Sequence, residues 1–87
     1  MGYRVVEVVA TPNPNARKFI LDHPISDGPL SFFTASAAAT HEVASSLFAI
    51  EGVTNLLLLG DFITVSKRPE LRWDAIVTAV RKTLKNS

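Results

Sequence analysis

The chain has 87 residues, 47% of them hydrophobic and 20% charged, with a formal net charge of +1 and no cysteine. That length holds one domain, and the composition is that of a folded core rather than a disordered tail. The near-neutral charge argues against a strong nucleic-acid or membrane-surface field, and the lack of cysteine removes disulfides, thiolate catalysis and thiolate metal ligation together.

Tyr3 to Ala10 is rich in valine and predicts a strand. A basic residue ahead of this apolar run imitates the start of a signal peptide, but Glu7 interrupts it and the run is only about six residues long. Nothing approaches the roughly 20 apolar residues of a membrane span. A small secreted domain usually leans on disulfides, so a cytoplasmic location is expected.

The turn-forming cluster "TPNPN" at 11–15 leads into a second strand, Ala16 to Leu21, expected to pair antiparallel with the first. "DHPISDGP", residues 22–29, has loop composition, and Leu30 to Thr34 is expected to be a short edge strand. The stretch "ASAAATHEVASSLFAIEG" predicts a helix whose apolar face carries Val43, Ala44, Leu47 and Phe48 and continues to Ile50. Thr40 is its expected N-cap and Gly52 its left-handed end.

Val53 to Leu59, apolar at nearly every position, predicts a central strand or one covered on both faces. Gly60-Asp61 suits a two-residue hairpin. Phe62 to Lys67 alternates cleanly and predicts the partner strand, and Glu70 to Lys85 predicts a last helix bearing Trp73, Ile76, Val77, Val80 and Leu84 on one face. The order ββ(β)αββα implies an α+β domain: an antiparallel sheet with both helices packed on one face. Its main core contacts are expected from Leu47, Phe48, Phe62, Ile63, Trp73 and Val80, although Phe62 and Ile63 cannot both face the helices if their strand is regular.

No catalytic constellation is visible. His23 and His41 stand far apart without ligand spacing and are expected to be solvated surface histidines. Asp22 and Asp27 solubilise a loop, and Asp61 forms a turn. No serine sits in a nucleophile elbow, and the four glycines form neither a P-loop nor a dinucleotide fingerprint. The expected protein is therefore not an enzyme and holds no metal or cofactor. Arg17, Lys18, Lys67 and Arg68 are basic, but the aromatics near them, Phe19, Phe32, Phe33 and Phe62, are expected in the core, which leaves no exposed stacking platform for nucleic acid.

The loop itself has two readings. Asn13 and Asn15 can each close an Asx-turn while both prolines restrict φ, which makes a rigid corner. Alternatively, free backbone N–H groups of this loop, with Arg17 or Lys18 nearby, form a shallow anion or peptide-carboxylate site. The candidate binding residues are accordingly Asn13, Asn15, Arg17 and Lys18.

Three segments, "TPNPNARKF", "LFAIEGV" and "GDFITVSK", with Trp73 following in the last helix, together resemble the N-terminal domain of Nfu/NifU-type iron–sulfur scaffold proteins. The resemblance runs from about residue 3 to residue 85. It implies the accessory half of such a scaffold in free-standing form, since the family's cluster is held by a C-x-x-C pair in a second domain. The implied role is docking to protein partners of iron–sulfur assembly, through the sheet face or edge left bare by the helices and the 11–18 loop, without ligating a cluster. The alternative is binding of a small anionic ligand or phosphorylated peptide at that loop. One departure is the helix start, His41-Glu42-Val43-Ala44, where the family has a Ser-Pro-Leu-Ala-like sequence with its helix-initiating proline.

With no thiolate to hold iron, the purified protein should be colourless after anaerobic reconstitution with iron and sulfide. A stoichiometric visible absorption band that survives desalting would contradict this.

Overall fold

A computed structural model describes residues 2–87. The chain runs through β1 (Val5–Ala10), β2 (Ala16–Leu21), β3 (Ser26–Phe32), α1 (Glu42–Phe48), β4 (Val53–Gly60), β5 (Phe62–Lys67) and α2 (Trp73–Lys85). Every strand pairing is antiparallel, and the five strands form one sheet in the order β1-β2-β5-β4-β3. The α+β expectation is met, with both helices contributing to a core on one face of this sheet.

Period-two alternation decides which side chains reach that core. In β5, Ile63 and Val65 are fully buried while Phe62, Thr64 and Ser66 are only half-buried. Phe19 and Leu21 of β2 and Leu56 and Leu58 of β4 are buried on the same side. Above them α2 lays down Trp73, Ile76, Val80 and Leu84, spaced three or four residues apart, and α1 contributes Ala44 and Leu47. Among the described residues, no helix is long and apolar enough to cross a membrane.

Several sequence expectations shift. The third strand begins at Ser26, inside the segment with loop composition, and ends at Phe32. It lies at the sheet edge, where Pro29 needs no ladder partner for its missing N–H, and its register with β4 slips between Ser26 and Leu30. The Ser26 hydroxyl donates to the Gly28 carbonyl within that bulge. The first helix is shorter than its composition implies. Residues 35–40 form successive turns, and the N-cap is His41, whose Nδ1 accepts the Ala44 N–H at 3.2 Å. An imidazole cap here replaces the expected Thr40 and the proline-led start.

α1 also ends at Phe48, before Gly52. Gly52 keeps its left-handed backbone, φ +94, in the turn into β4, where a Cβ would lie 2.1 Å from Leu71 Cδ1. At the β4–β5 hairpin Leu59 pairs with Phe62, and Gly60 takes φ +57 as the first loop residue, as a two-residue loop needs. α2 starts at Trp73, so Glu70 precedes it and instead pairs with Arg68 at 3.3 Å.

Of the aromatics expected in the core, Phe19 is fully buried, Phe32, Phe48 and Phe62 are half-buried, and Phe33 is 69% exposed. Phe62 lies on the bare face because its neighbour Ile63 has the inward position. β4 is interior to the sheet but covered on one face only, so its alternate leucines Leu57 and Leu59 stay half-buried.

Removing the fully buried ring in Phe19→Ala should cost roughly 3–5 kcal/mol, whereas the half-buried ring in Phe48→Ala should cost about half as much. Urea titration of the two variants checks the ranking, and equal losses would misplace the core.

Candidate functional site

The 11–15 loop satisfies most of its own backbone. The Asn13 N–H donates to Thr11 Oγ1 at 3.2 Å, the Asn15 N–H to Asn13 Oδ1 at 2.9 Å, and the Ala16 N–H to the Asn13 carbonyl at 3.0 Å. Thr11 Oγ1 also lies 2.9 Å from the carbonyls of both Asn13 and Ala16 and shares its one proton between them. These amides are therefore spoken for within the loop, and the segment has the hydrogen-bonding pattern of a rigid corner.

Two bonds fasten this corner to distant parts of the chain. The Trp73 indole N–H donates to the Pro14 carbonyl at 2.9 Å. The Lys67 ammonium donates to Asn15 Oδ1 at 3.1 Å and to the Arg68 carbonyl at 3.3 Å, while the Lys67 amide donates to the Asn15 carbonyl at 2.8 Å. Asn15 is thus held through both its backbone and its side chain.

Arg17 and Lys18, adjacent in β2, project to opposite sides of the sheet. Arg17 is on the helix side, its guanidinium carbon 5.2 Å from the centre of the Trp73 ring. The Lys67 ammonium is 5.6 Å from the same ring centre. Lys18 reaches across the bare face to Phe62, its ammonium 4.1 Å from the ring centre. Of the four candidate residues, Asn13, Asn15 and Arg17 gather at one corner and Lys18 does not join them.

Residues that sequence reasoning left out complete both places. Lys67 and Trp73 join Arg17 at the corner. The signal for Lys67 is its position at the third inward step of β5, after Ile63 and Val65, where an ionisable side chain breaks an apolar pattern. On the bare face, direct pairing puts Ile20, Phe62 and Leu59 in one row and Lys18, Thr64 and Leu57 in the next. All six are half-buried, and among the described residues no helix lies over them.

Both histidines have local structural partners. His41 caps α1 and meets the Phe32 ring edge-on at 5.7 Å. His23 stacks on Tyr3 with ring centres 4.4 Å apart, and its Nδ1 lies 2.7 Å from Asp22 Oδ1. The Arg4 N–H, with a smaller contribution from His23, holds the Asp22 carboxyl below the ordinary carboxylate range. Among the described residues, no three His, Asp or Glu side chains converge as a metal site would require. A cleft of about 550 Å³, lined by Arg4, Asp22, Arg81 and Lys85, opens beside the N-terminal segment and contains none of the predicted site residues. It lies at the carbonyl end of α2, whose partial negative charge the basic side chains there offset.

Residues 6–87 match the family model described as scaffold protein Nfu/NifU N terminal. The chain belongs to this family. It is 37% identical over 84 residues to the human mitochondrial NFU1 iron–sulfur cluster scaffold homolog, covering 94% of this chain and 33% of that protein. It is 28% identical over 82 residues to conserved virulence factor C of Staphylococcus haemolyticus, covering 94% of this chain and 22% of that one. The Nfu-like domain therefore spans about a fifth to a third of the curated relatives it matches. The solution structure of a NifU-like protein from Saccharomyces cerevisiae superimposes with TM-score 0.84 at 20% identity, over 98% of this chain and 77% of that one. The crystal structure of protein SAV1430 from Staphylococcus aureus gives 0.80 at 20% identity, over 92% and 96%. These solved structures share the fold of this chain, and the curated relatives of the family include iron–sulfur cluster scaffold homologs.

If the asparagine side chain sets this Nfu corner, Asn13→Ala should lower stability by about 0.5–1.5 kcal/mol. Lys18→Ala, which removes only a half-exposed cation–π contact, should stay within roughly 1 kcal/mol of the wild type. Thermal melts of the two variants should rank them in that order, and a silent Asn13→Ala would show that the prolines alone hold the turn.

Proposed function

We propose that this domain is a non-catalytic docking module of iron–sulfur cluster assembly, which engages a protein partner through its bare sheet face and does not itself ligate a cluster. One observation carries the reading. Ile20, Phe62, Leu59 and Leu57 form a contiguous half-buried apolar patch on a sheet whose other face carries the helices and the core. The Lys18 ammonium lies at the β2 side of this patch, over the Phe62 ring. That arrangement favours a partner surface that is apolar with one carboxylate placed to meet Lys18.

Family membership supplies the setting, because the human relative is named as an iron–sulfur cluster scaffold homolog. The absence of cysteine supports the non-ligating part of the proposal. It also supports a reducing compartment such as the cytoplasm.

The test is an NMR titration of the isotope-labelled domain with an Nfu/NifU-type scaffold protein that carries the C-x-x-C pair. Amide shifts should centre on Lys18, Ile20, Leu57 and Phe62. Lys18→Glu and Leu57→Asp should each abolish them while leaving the fold intact by circular dichroism. Shifts confined to the helix side, or none at saturating partner, would refute docking by this face.

A second reading, binding of an anion near the 11–18 loop, is favoured by the placement of Arg17 and Lys67 about one indole ring.

A further inference from the structure

Lys67 is 7% exposed, and no carboxylate of the described residues lies within ion-pair distance of it. Burying a cation without a counter-charge is costly, and the partners it does have are neutral: Asn15 Oδ1, the Arg68 carbonyl and the Trp73 ring. An ammonium has three protons, and these two oxygens use two of them. Arg17, on the next strand, sits against the same ring, and its guanidinium donates to no acceptor among the described residues. The acids of this region are engaged elsewhere, Glu51 and Glu70 with Arg68 and Asp74 with Arg72. Two cations thus converge on one aromatic ring with donor capacity left over and no acid between them.

We propose that the corner formed by Arg17, Lys67 and Trp73 is a binding site for a single carboxylate, presented on a short apolar stem as in a peptide C-terminus or an acidic side chain. The Arg17 fork matches the two carboxylate oxygens, and the Lys67 ammonium on the same indole adds a second positive charge. Trp73 and Pro14, tied to each other by the indole bond, offer an apolar wall for the stem. A carboxylate fits this place better than a phosphate. The desolvation cost grows with the square of the charge, so a monoanion loses less hydration than a dianion on approaching a lysine this deeply buried. The site is rigid before binding, because Asn15 is fixed by Lys67 through two bonds and Pro14 by Trp73.

This inference deepens the anion reading above and is independent of the docking face, from which the sheet separates it. Trp73 is the one tryptophan of the chain, so its fluorescence reports on the site directly. The domain is titrated with sodium acetate, with N-acetylglycine and with inorganic phosphate, each at constant ionic strength balanced by sodium chloride. Acetate and N-acetylglycine should give saturable changes in Trp73 emission, with N-acetylglycine the tighter of the two. Arg17→Gln should weaken both at least tenfold. Lys67→Met should do the same, and Arg17→Gln, at a half-buried position, keeps the test decisive if the lysine variant fails to fold.

Saturation by phosphate but not by acetate would overturn the carboxylate assignment while leaving the anion reading standing. Equal responses in chloride alone, or unchanged carboxylate binding in Arg17→Gln, would overturn both.

Discussion

The bond from the Trp73 indole to the Pro14 carbonyl joins the first residue of α2 to the corner between β1 and β2, 59 residues away in sequence. Most of the architecture depends on that junction. The indole is almost wholly buried, so its N–H must find an acceptor there, and the proline-restricted corner holds a carbonyl in a fixed place to receive it. Once this is made, the start of α2 is set above β2 and β5, and the helix lays Ile76, Val80 and Leu84 along the sheet. The same ring then becomes the surface on which Arg17 and Lys67 rest.

The sheet behind this junction has two unlike sides. Toward the helices it presents Phe19, Leu56, Leu58, Ile63 and Val65, all 2% exposed or less. Away from them it presents half-buried apolar side chains and Lys18. An antiparallel sheet with one solvated face would ordinarily carry polar residues there. Leucine at two outward positions of β4, 57 and 59, with phenylalanine and isoleucine beside them, departs from that pattern without a core to justify it. Such a patch on a domain this small is a feature of binding surfaces. The domain recurs within longer scaffold-type relatives, and a bare, apolar sheet face is a natural place for another polypeptide to pack.

Much of the fold was legible in the sequence because its strands alternate with period two and α2 repeats its apolar residues at helical spacing. Strand 62–67 and the Gly60-Asp61 hairpin stand where the pattern puts them. Less legible were the places where local composition and tertiary pairing disagree. "SDGP" has loop composition, yet an edge strand accepts a proline and a bulge there. The alanine-rich run before His41 has helix propensity, yet residues 35–40 form turns and the helix waits for an imidazole cap. The continuous apolar run in β4 implies burial on both sides, but periodicity cannot say whether a second layer exists to provide it.

The sequence by itself determined the absence of thiolate chemistry, the α+β order, the family and the loop that turns the chain between β1 and β2. Each depends on residue identity or on a short-range pattern, and neither changes on folding. Only the tertiary structure decided which candidate residues belong together. Arg17 and Lys18 are neighbours in sequence, but a strand sends consecutive side chains to opposite faces, so one joins Trp73 and the other joins Phe62. Lys67 and Trp73 reach Asn15 and Pro14 across more than 50 residues, and it is sheet pairing and helix packing, not sequence spacing, that bring them there.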